Sequence, residues 1–314
     1  MIRPFTFAAA VQGIYDASRL SDLARRAEDH GYQALAVPDH LIPQLSPIAA
    51  MTAIVMASPK LRVTSYVFNN DLRHPAVLAQ DLASIDVLSR GRLTIAIGAG
   101  WNRPEYDAIG VPFEPVAVRS ARLAEAVHVL KGCFADGPFS FAGDHYTITD
   151  YDAEPTPVQR PHPPILIGGG GRRTLSLAGR EADIVGLAPR MLGSVGSDPR
   201  SITFAATTEK IAWVREAAGA RFEELVFDAY PTGWPAVLTD DPRAEAAKLA
   251  EQLAGRTAVD LTIEEILDSP NVYIGTVASL SEKLERLREE LGISSFMLGE
   301  VEDMAPLVER LSGT

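Results

Sequence analysis

The chain has 314 residues, 46% hydrophobic and 22% charged, with 29 lysines and arginines against 41 aspartates and glutamates and a formal net charge of −12. That length and apolar content suit two ordinary domains or one α/β barrel of about 250 residues with insertions, and the acidic balance, without a basic stripe, argues against a nucleic-acid binder. The single Cys133 excludes an internal disulfide framework and a cysteine-ligated metal cluster, which fits a reducing cytoplasm.

At the N-terminus, "MIRPFTFAAAVQG" has an early arginine and an Ala-x-Ala, but Pro4 and Thr6 interrupt its apolar run, which is too short for a signal sequence. No run reaches the ~20 apolar residues of a membrane span. The expectation is a soluble, cytoplasmic protein with neither membrane nor nucleic acid as a partner.

The pattern then alternates. "FTFAAAV" (Phe5–Val11) reads as a strand, followed by a helix from a Ser18 cap through "LSDLARRAEDHG", stopped by Gly31. "ALAVP" (Ala34–Pro38) is strand-like, and Ser46 with Pro47 opens the helix "SPIAAMTAIVMAS". "LRVTSYVF" (Leu61–Phe68) and the helix "HPAVLAQDLASIDVLSRG" come next, then "RLTIAIG" and a helix over Pro115–Phe134. A hairpin, "FSFAGDHYTI", precedes "PPILIGG", "RRTLSLAGRE" and "ADIVGLA"; a helix over Thr207–Ala218 leads to "ELVFDAY". The longer, less regular segment Pro231–Asn271 holds two helical patterns, "DDPRAEAAKLAEQLAG" and "LTIEEIL". "SLSEKLERLREELG" is an amphipathic helix, "SSFMLG" a strand and Glu302–Ser312 a closing helix.

Eight strand-like runs, each followed by helical material, predict an α/β fold with a closed TIM (β/α)8 barrel and insertions, read as one domain over residues 1–314. The runs are continuously apolar, as parallel strands covered on both faces are. A doubly wound open sheet is the alternative, but no G-x-G-x-x-G follows the first strand.

A barrel places its active site at the carboxyl ends of its strands. There stand Asp39-His40, "SYVFNNDLRHP", "GAGWNRPEY", "GGGGRR", "GLAPR" and "YPTGWP". The glycines Gly168, Gly169, Gly170 and Gly171, followed by Arg172 and Arg173 at a helix start, let backbone N–H groups approach a phosphate; a merely flexible loop is the other reading. His40 is either a proton donor or acceptor or a histidine bonded to Asp39 that closes a loop. Trp101 and Tyr66 frame a planar ring or are wall residues, and Gly98 and Gly100 are turn glycines or leave room for a ligand. His74, His30, His128 and His162 read as structural, and no His/carboxylate cluster points to a metal.

Assembled, "ALAVPDHL", "LRVTSYVFNNDLRHPAVLAQDLASIDVLSRGRLTIAIGAGWNRPEYDAIG" and "PPILIGGGGRRTLSLAGREADIVGL" resemble the luciferase-like flavin- and deazaflavin-dependent oxidoreductases, most strongly over Ala34–Leu187. The resemblance implies a TIM barrel with insertions and a cofactor that is coenzyme F420, a 5-deazaflavin, or reduced FMN. Its phosphate is expected at Gly169, Gly170 and Arg172. His40 matches the histidine near the reactive ring, with Asp39 orienting or tuning it. A non-proline cis peptide that supports the ring is expected at Ser65–Tyr66, and Trp101 is expected to wall the substrate space. Arg103, Arg172, Arg173 or Arg190 would meet the deazaflavin's anionic tail.

Sugar-phosphate dehydrogenases of this family carry a glutamate directly after the G-x-G, where this chain has Trp101, which argues against a glucose-6-phosphate role. The next carboxylate, Glu105, belongs to a common "GWxxxEY" pattern and is expected to support the loop. The resemblance therefore implies hydride transfer between F420 and a small organic substrate. An FMN-dependent monooxygenase fed by a separate reductase is the alternative, and a non-catalytic flavin-binding protein the third reading. A homodimer through the apolar helices after Ser46 and Pro75 is expected, with Arg190–Thr203 and Pro231–Asn271 lining the substrate pocket.

Overall fold

A computed structural model describes residues 3–11, 13–14, 16–192, 196–231, 236–257 and 259–314. The first elements are β1 (Thr6–Ala10), α1 (Ala17–Asp29), β2 (Ala34–Val37), α2 (Pro47–Ala57), β3 (Arg62–Ser65), β4 (Phe68–Asn69), α3 (Pro75–Ser89) and β5 (Leu93–Gly98). Then come α4 (Arg103–Ile109), α5 (Val116–Phe134), β6 (Phe139–Ala142), β7 (Thr147–Tyr151), β8 (Ile165–Gly169), α6 (Arg172–Glu181) and β9 (Ile184–Leu187). The rest is α7 (Phe204–Ala218), β10 (Val226–Ala229), β11 (Ala236–Leu238), α8 (Pro242–Thr257), α9 (Ile263–Asp268), β12 (Tyr273–Gly275), α10 (Val277–Leu291), β13 (Ile293–Met297) and α11 (Val301–Leu311). Among the described residues no helix is long and apolar enough to cross a membrane.

Contacts divide the chain into two compact units of interleaved segments: Val11–Glu28 with Ala34–Ile167, and Met1–Ala10 with Asp29–Gln33 and Gly168–Thr314. In the first, β2, β3, β5 and the start of β8 lie side by side in parallel, with Ala36 opposite Thr64, Thr64 opposite Thr94 and Ala96 opposite Leu166. Parallel neighbours need a crossover, and α2 and α3 supply it. In the second unit, β1, β13, β10 and β9 are parallel, with Phe7 opposite Phe296 and Ala229 opposite Phe296 and Leu187. Phe5, Phe7 and Phe296 sit with ring centroids 6.0–6.2 Å apart, and the Arg288 guanidinium covers Phe5 at 3.7 Å. Each such buried side chain contributes about 1.5–3 kcal/mol of transfer free energy.

Within the first unit, the "SRGRL" stretch is structural. The Arg92 guanidinium donates to the carbonyls of Val55, Ser58 and Leu61, and its Nε to Ser89, so one side chain satisfies the carboxyl end of α2 and the turn before β5. The chain turns there through Arg90 (φ 58°) and Gly91 (φ 81°), the left-handed region that suits a helix end.

Four local expectations need revision. The cap of α1 is Asp16, whose carboxylate accepts from the Ser18 amide at 2.8 Å, because an acceptor must precede the amides it caps. The run Leu61–Phe68 is two strands, β3 and β4, broken at Tyr66-Val67. The polar "RPEYDAI" is a helix, α4. The segment after Pro231 adds two strands, β11 and β12, paired in parallel from Ala236–Tyr273 to Leu238–Gly275. A small core of its own, including Leu249, Leu253, Leu261, Ile266 and Val272, holds this region together. Of the segments expected to line a substrate pocket, residues 193–195, 232–235 and 258 lie outside the described residues.

Candidate active site

The residues that follow β2 divide their work. Asp39, 4% exposed, accepts from both terminal nitrogens of Arg73 (2.6 and 3.0 Å) and from the Asn69 amide (2.9 Å). It therefore ties β4 and the chain after it to the end of β2. Its carboxylate is spent on Arg73, and this corrects the expectation that Asp39 orients the imidazole.

The carboxylate partner of His40 is Glu105, 65 residues further on, with Nδ1 2.9 Å from Oε1 and 3.1 Å from Oε2. A carboxylate accepts, so Nδ1 is the donor of this pair and Nε2 is the nitrogen that Glu105 does not hold. Glu105 is buried while the His40 side chain keeps a quarter of its surface open. Gln44 Nε2 donates to the carbonyls of Pro38 (2.7 Å) and His40 (3.0 Å), which fixes the turn. The Trp101 ring meets the imidazole edge-on at 5.5 Å and 78° and is itself 42% exposed.

Local chemistry explains why Glu105 lies under His40. β5 ends at Gly98, and the chain reverses at Gly100, whose φ is +71°. A methyl group on Gly100 would overlap the Tyr106 hydroxyl and crowd Asn69 Oδ1. The Arg119 guanidinium donates to the carbonyls of Ala99, Gly100 and Glu114 and stacks on Phe113 at 4.1 Å. Pro104 then sets the first turn of α4, where a carboxylate such as Glu105 is favoured by the helix dipole. Tyr106 anchors the helix from below. Its hydroxyl lies 2.9 Å from Asn69 Oδ1 and 3.0 Å from Asp71 Oδ2, and Asp71 in turn accepts from Arg122 at 2.7 Å. Burial, then the Asp71 charge, pushes the Tyr106 phenol well above its ordinary value, so it stays a donor.

Within the other unit, Gly168 and Gly169 end β8 and Gly171 caps α6 without any side-chain cap. The first-turn amides of this ten-residue helix are thus left for another acceptor. A Cβ on Gly170 would overlap the Pro189 carbonyl, whereas one on Gly171 would meet open space. The backbone after β9 is fixed by buried groups. Lys210 Nζ donates to the carbonyls of Ala188 and Ser201, both at 2.6 Å, and Asn271 Nδ2 to those of Leu187 and Tyr230, both at 2.9 Å. Burial pulls the Lys210 ammonium down to about 7. An uncapped helix start, a glycine that admits a close backbone and an open face at Gly171 fit the phosphate that FMN and F420 share.

The remaining expected residues fall as follows. Ser65 Oγ donates to the Ala96 carbonyl and the Tyr66 amide to that of Val37 at 2.9 Å, so the Ser65–Tyr66 peptide is held in the strand ladder. The non-proline cis bond comes one residue later, at Tyr66–Val67, which corrects the expected position. Gly98 is an ordinary strand residue paired with Asn69, so the turn belongs to Gly100 alone. Arg172 points to Glu216 at 2.7 Å and Arg190 to Asp198 at 2.5 Å. Sequence reading missed Glu105 as the histidine's partner, and with it Arg73, Tyr106 and Arg119. Glu105 at the first turn of a proline-started helix was the one local signal available.

The family model for luciferase-like monooxygenases matches residues 2–295. Among curated proteins, the chain is 37% identical over 131 residues to an FMNH(2)-dependent dimethylsulfone monooxygenase of Pseudomonas putida, covering 42% of this chain and 36% of that one. It is 31% identical over 176 residues to an F420-dependent glucose-6-phosphate dehydrogenase of Kineococcus radiotolerans, covering 52% and 50%. The chain thus spans half or less of the length of these relatives. The solved coenzyme F420-dependent tetrahydromethanopterin reductase of Methanopyrus kandleri superposes with a TM-score of 0.77 at 18% identity, over 98% of this chain and 97% of that one. That likeness shows the fold: a TIM barrel of parallel strands and covering helices, as the alternation in the sequence predicted.

Proposed function

Since the chain belongs to the luciferase-like monooxygenase family, we propose that it is an F420-dependent oxidoreductase that moves a hydride between the deazaflavin and a small organic substrate. The observation that carries this reading is the His40–Glu105 pair, in which a partly exposed imidazole gives one nitrogen to a buried carboxylate and keeps the other. When bound, the reduced deazaflavin supplies two electrons as a hydride, much as nicotinamide does.

The chain's own residues supply the rest. His40 Nε2 holds or takes the proton that balances charge on a substrate oxygen, and Glu105 fixes the tautomer and stabilises the imidazolium. Gly169, Gly170, Gly171 and the first-turn amides of α6 hold the phosphate. Trp101 restricts water beside the imidazole. Asp39 acts through Arg73 and Asn69, as a brace for the strand ends rather than on the imidazole. With Trp101 in the place after the G-x-G, sugar phosphates are not the proposed substrates.

A second reading, an FMN-dependent monooxygenase, is favoured by the 37% identity to the dimethylsulfone enzyme. We also propose a homodimer, because α2 and α3 leave Met56, Val77, Val87 and Leu88 exposed, an apolar set that a second copy of the chain would cover. Anaerobic turnover with F420 against alcohols and carbonyls tests the main reading. Turnover that needs FMNH2 and oxygen, and none with F420, would favour the second.

A further inference from the structure

We infer that the inner face of the barrel at Asp228 is a subsite for a protonated amine, so that the substrate carries an ammonium group apart from the oxygen given to His40. The inference rests on the oxidoreductase reading above for calling this ligand a substrate, and it adds a charged handle to it. Side chains of β10 and β13 alternate between the covering helices and the barrel interior. Phe227 packs on Phe222, in the chain after α7, and Phe296 lies against Phe7 and Phe5, which Arg288 of α10 covers. Those rings mark the helix side. Asp228 and Ser295, the next positions along, therefore face the interior, and Thr6, opposite Ser295 on β1, shares that side. Asp228 is also the last residue but one of β10, towards the carboxyl ends where barrel enzymes keep their chemistry.

The carboxylate there is short of partners. Asp228 is 8% exposed, and its Oδ1 accepts from Ser295 Oγ at 2.6 Å. Among the described residues no other group donates to it, and no lysine or arginine pairs with it. Burial pushes its carboxyl up to about 6, still below neutrality, so it keeps a charge at pH 7. A buried carboxylate is ordinarily paired or fully hydrogen-bonded, because water no longer solvates it. Elsewhere in this chain that rule is kept: Asp39 has Arg73, Asp71 has Arg122, and Asp86 has three N–H donors. The row around Asp228 can be reached, since Thr6 is exposed and Ser295 half-buried. The partner that fits brings a positive charge and N–H donors to Oδ2, and the Ser295 and Thr6 hydroxyls offer further acceptors. An anion would be repelled there, and a neutral hydroxyl would leave the charge uncompensated.

Benzylamine and benzyl alcohol share a shape and differ in charge at neutral pH. Their dissociation constants are measured by calorimetry on the full chain, first alone and then with F420 or FMN added. The amine is expected to bind at least about tenfold more tightly, some 1.4 kcal/mol. A net charge of −12 attracts any cation weakly, so two variants carry the test. Asp228→Asn keeps the shape and removes the charge, and the amine's advantage should fall to within about twofold. Thr6→Leu, at an exposed position, puts apolar bulk in the row with Asp228 intact and should weaken the amine at least about threefold. No preference for the amine in the unaltered protein overturns the inference, as does a preference that survives in both variants. Failure of the oxidoreductase reading shows separately, as the absence of any binding of F420 and FMN.

Discussion

His40 Nδ1 and Glu105 Oε1 lie 2.9 Å apart across 65 residues of sequence, one carried by the end of β2 and the other by the first turn of α4. Two chain segments that each look like loops in the sequence thus form one hydrogen-bonded pair, to which the proposed function assigns the proton. His40→Ala should lower turnover by about 10²–10⁴, the usual weight of a positioned acid or base. Glu105→Gln keeps the shape but loses the charge that stabilises the imidazolium, and about a hundredfold loss is expected. In both variants the cofactor's dissociation constant should stay within about twofold. Steady-state kinetics beside equilibrium titration checks this, and normal turnover in Glu105→Gln would remove the carboxylate from the mechanism.

The reversal at Gly100 makes a prediction about stability. Gly100→Ala imposes a left-handed conformation on a residue with a side chain, about 1–2 kcal/mol, and drives a methyl group into the Tyr106 hydroxyl, about 1–3 kcal/mol more. Denaturant titration should show a loss of about 2–5 kcal/mol. Adding Tyr106→Phe removes the clashing oxygen, so the double variant should be more stable than the sum of the two single losses. Strict additivity would mean that the overlap is relieved elsewhere.

Much of this was legible from residues alone. The continuous apolar runs, the proline-started helices after Ser46 and His74 and the glycine quartet before α6 all state their structure locally, because capping and strand burial depend on a few neighbouring residues. The polar run "RPEYDAI" hid α4, since its helix is set by Pro104 and by Tyr106 reaching Asn69 and Asp71 some 35 residues back. Asp39 was the natural partner for His40 by adjacency, and only the fold brings Arg73 to claim it. The extra strand pair, β11 and β12, was invisible because three-residue strands carry no period and their partners are separated by α8 and α9.

Lys210 links the site's backbone to pH. Burial lowers its pKa to about 7 from an ordinary 10.5, so between these values the unfolded chain binds more protons than the folded one. Stability should therefore rise with pH across that window, by up to about 1.4 kcal/mol per pH unit. Lys210→Met removes this contribution. Denaturation midpoints from pH 7 to 9.5 should show a flatter slope in the variant, and parallel curves would mean that the ammonium remains charged in the fold.

The apolar surface of α2 and α3 predicts a homodimer in sedimentation equilibrium, converted towards monomer by Val77→Arg with the helices intact by circular dichroism. A chain that is monomeric at every concentration would leave Met56, Val77 and Leu88 as ordinary surface residues.

Equilibrium titration of the purified protein with F420, FMN and riboflavin, followed by ligand fluorescence, reaches the central claim most directly. F420 should bind more tightly than FMN, and riboflavin, which lacks the phosphate, more weakly than either. Gly170→Ala should cost F420 at least about tenfold by pushing the Pro189 backbone away, a loss of some 1.4 kcal/mol, while riboflavin is little changed. Tight FMN binding with none of F420, or binding indifferent to both the phosphate and Gly170, would contradict the account.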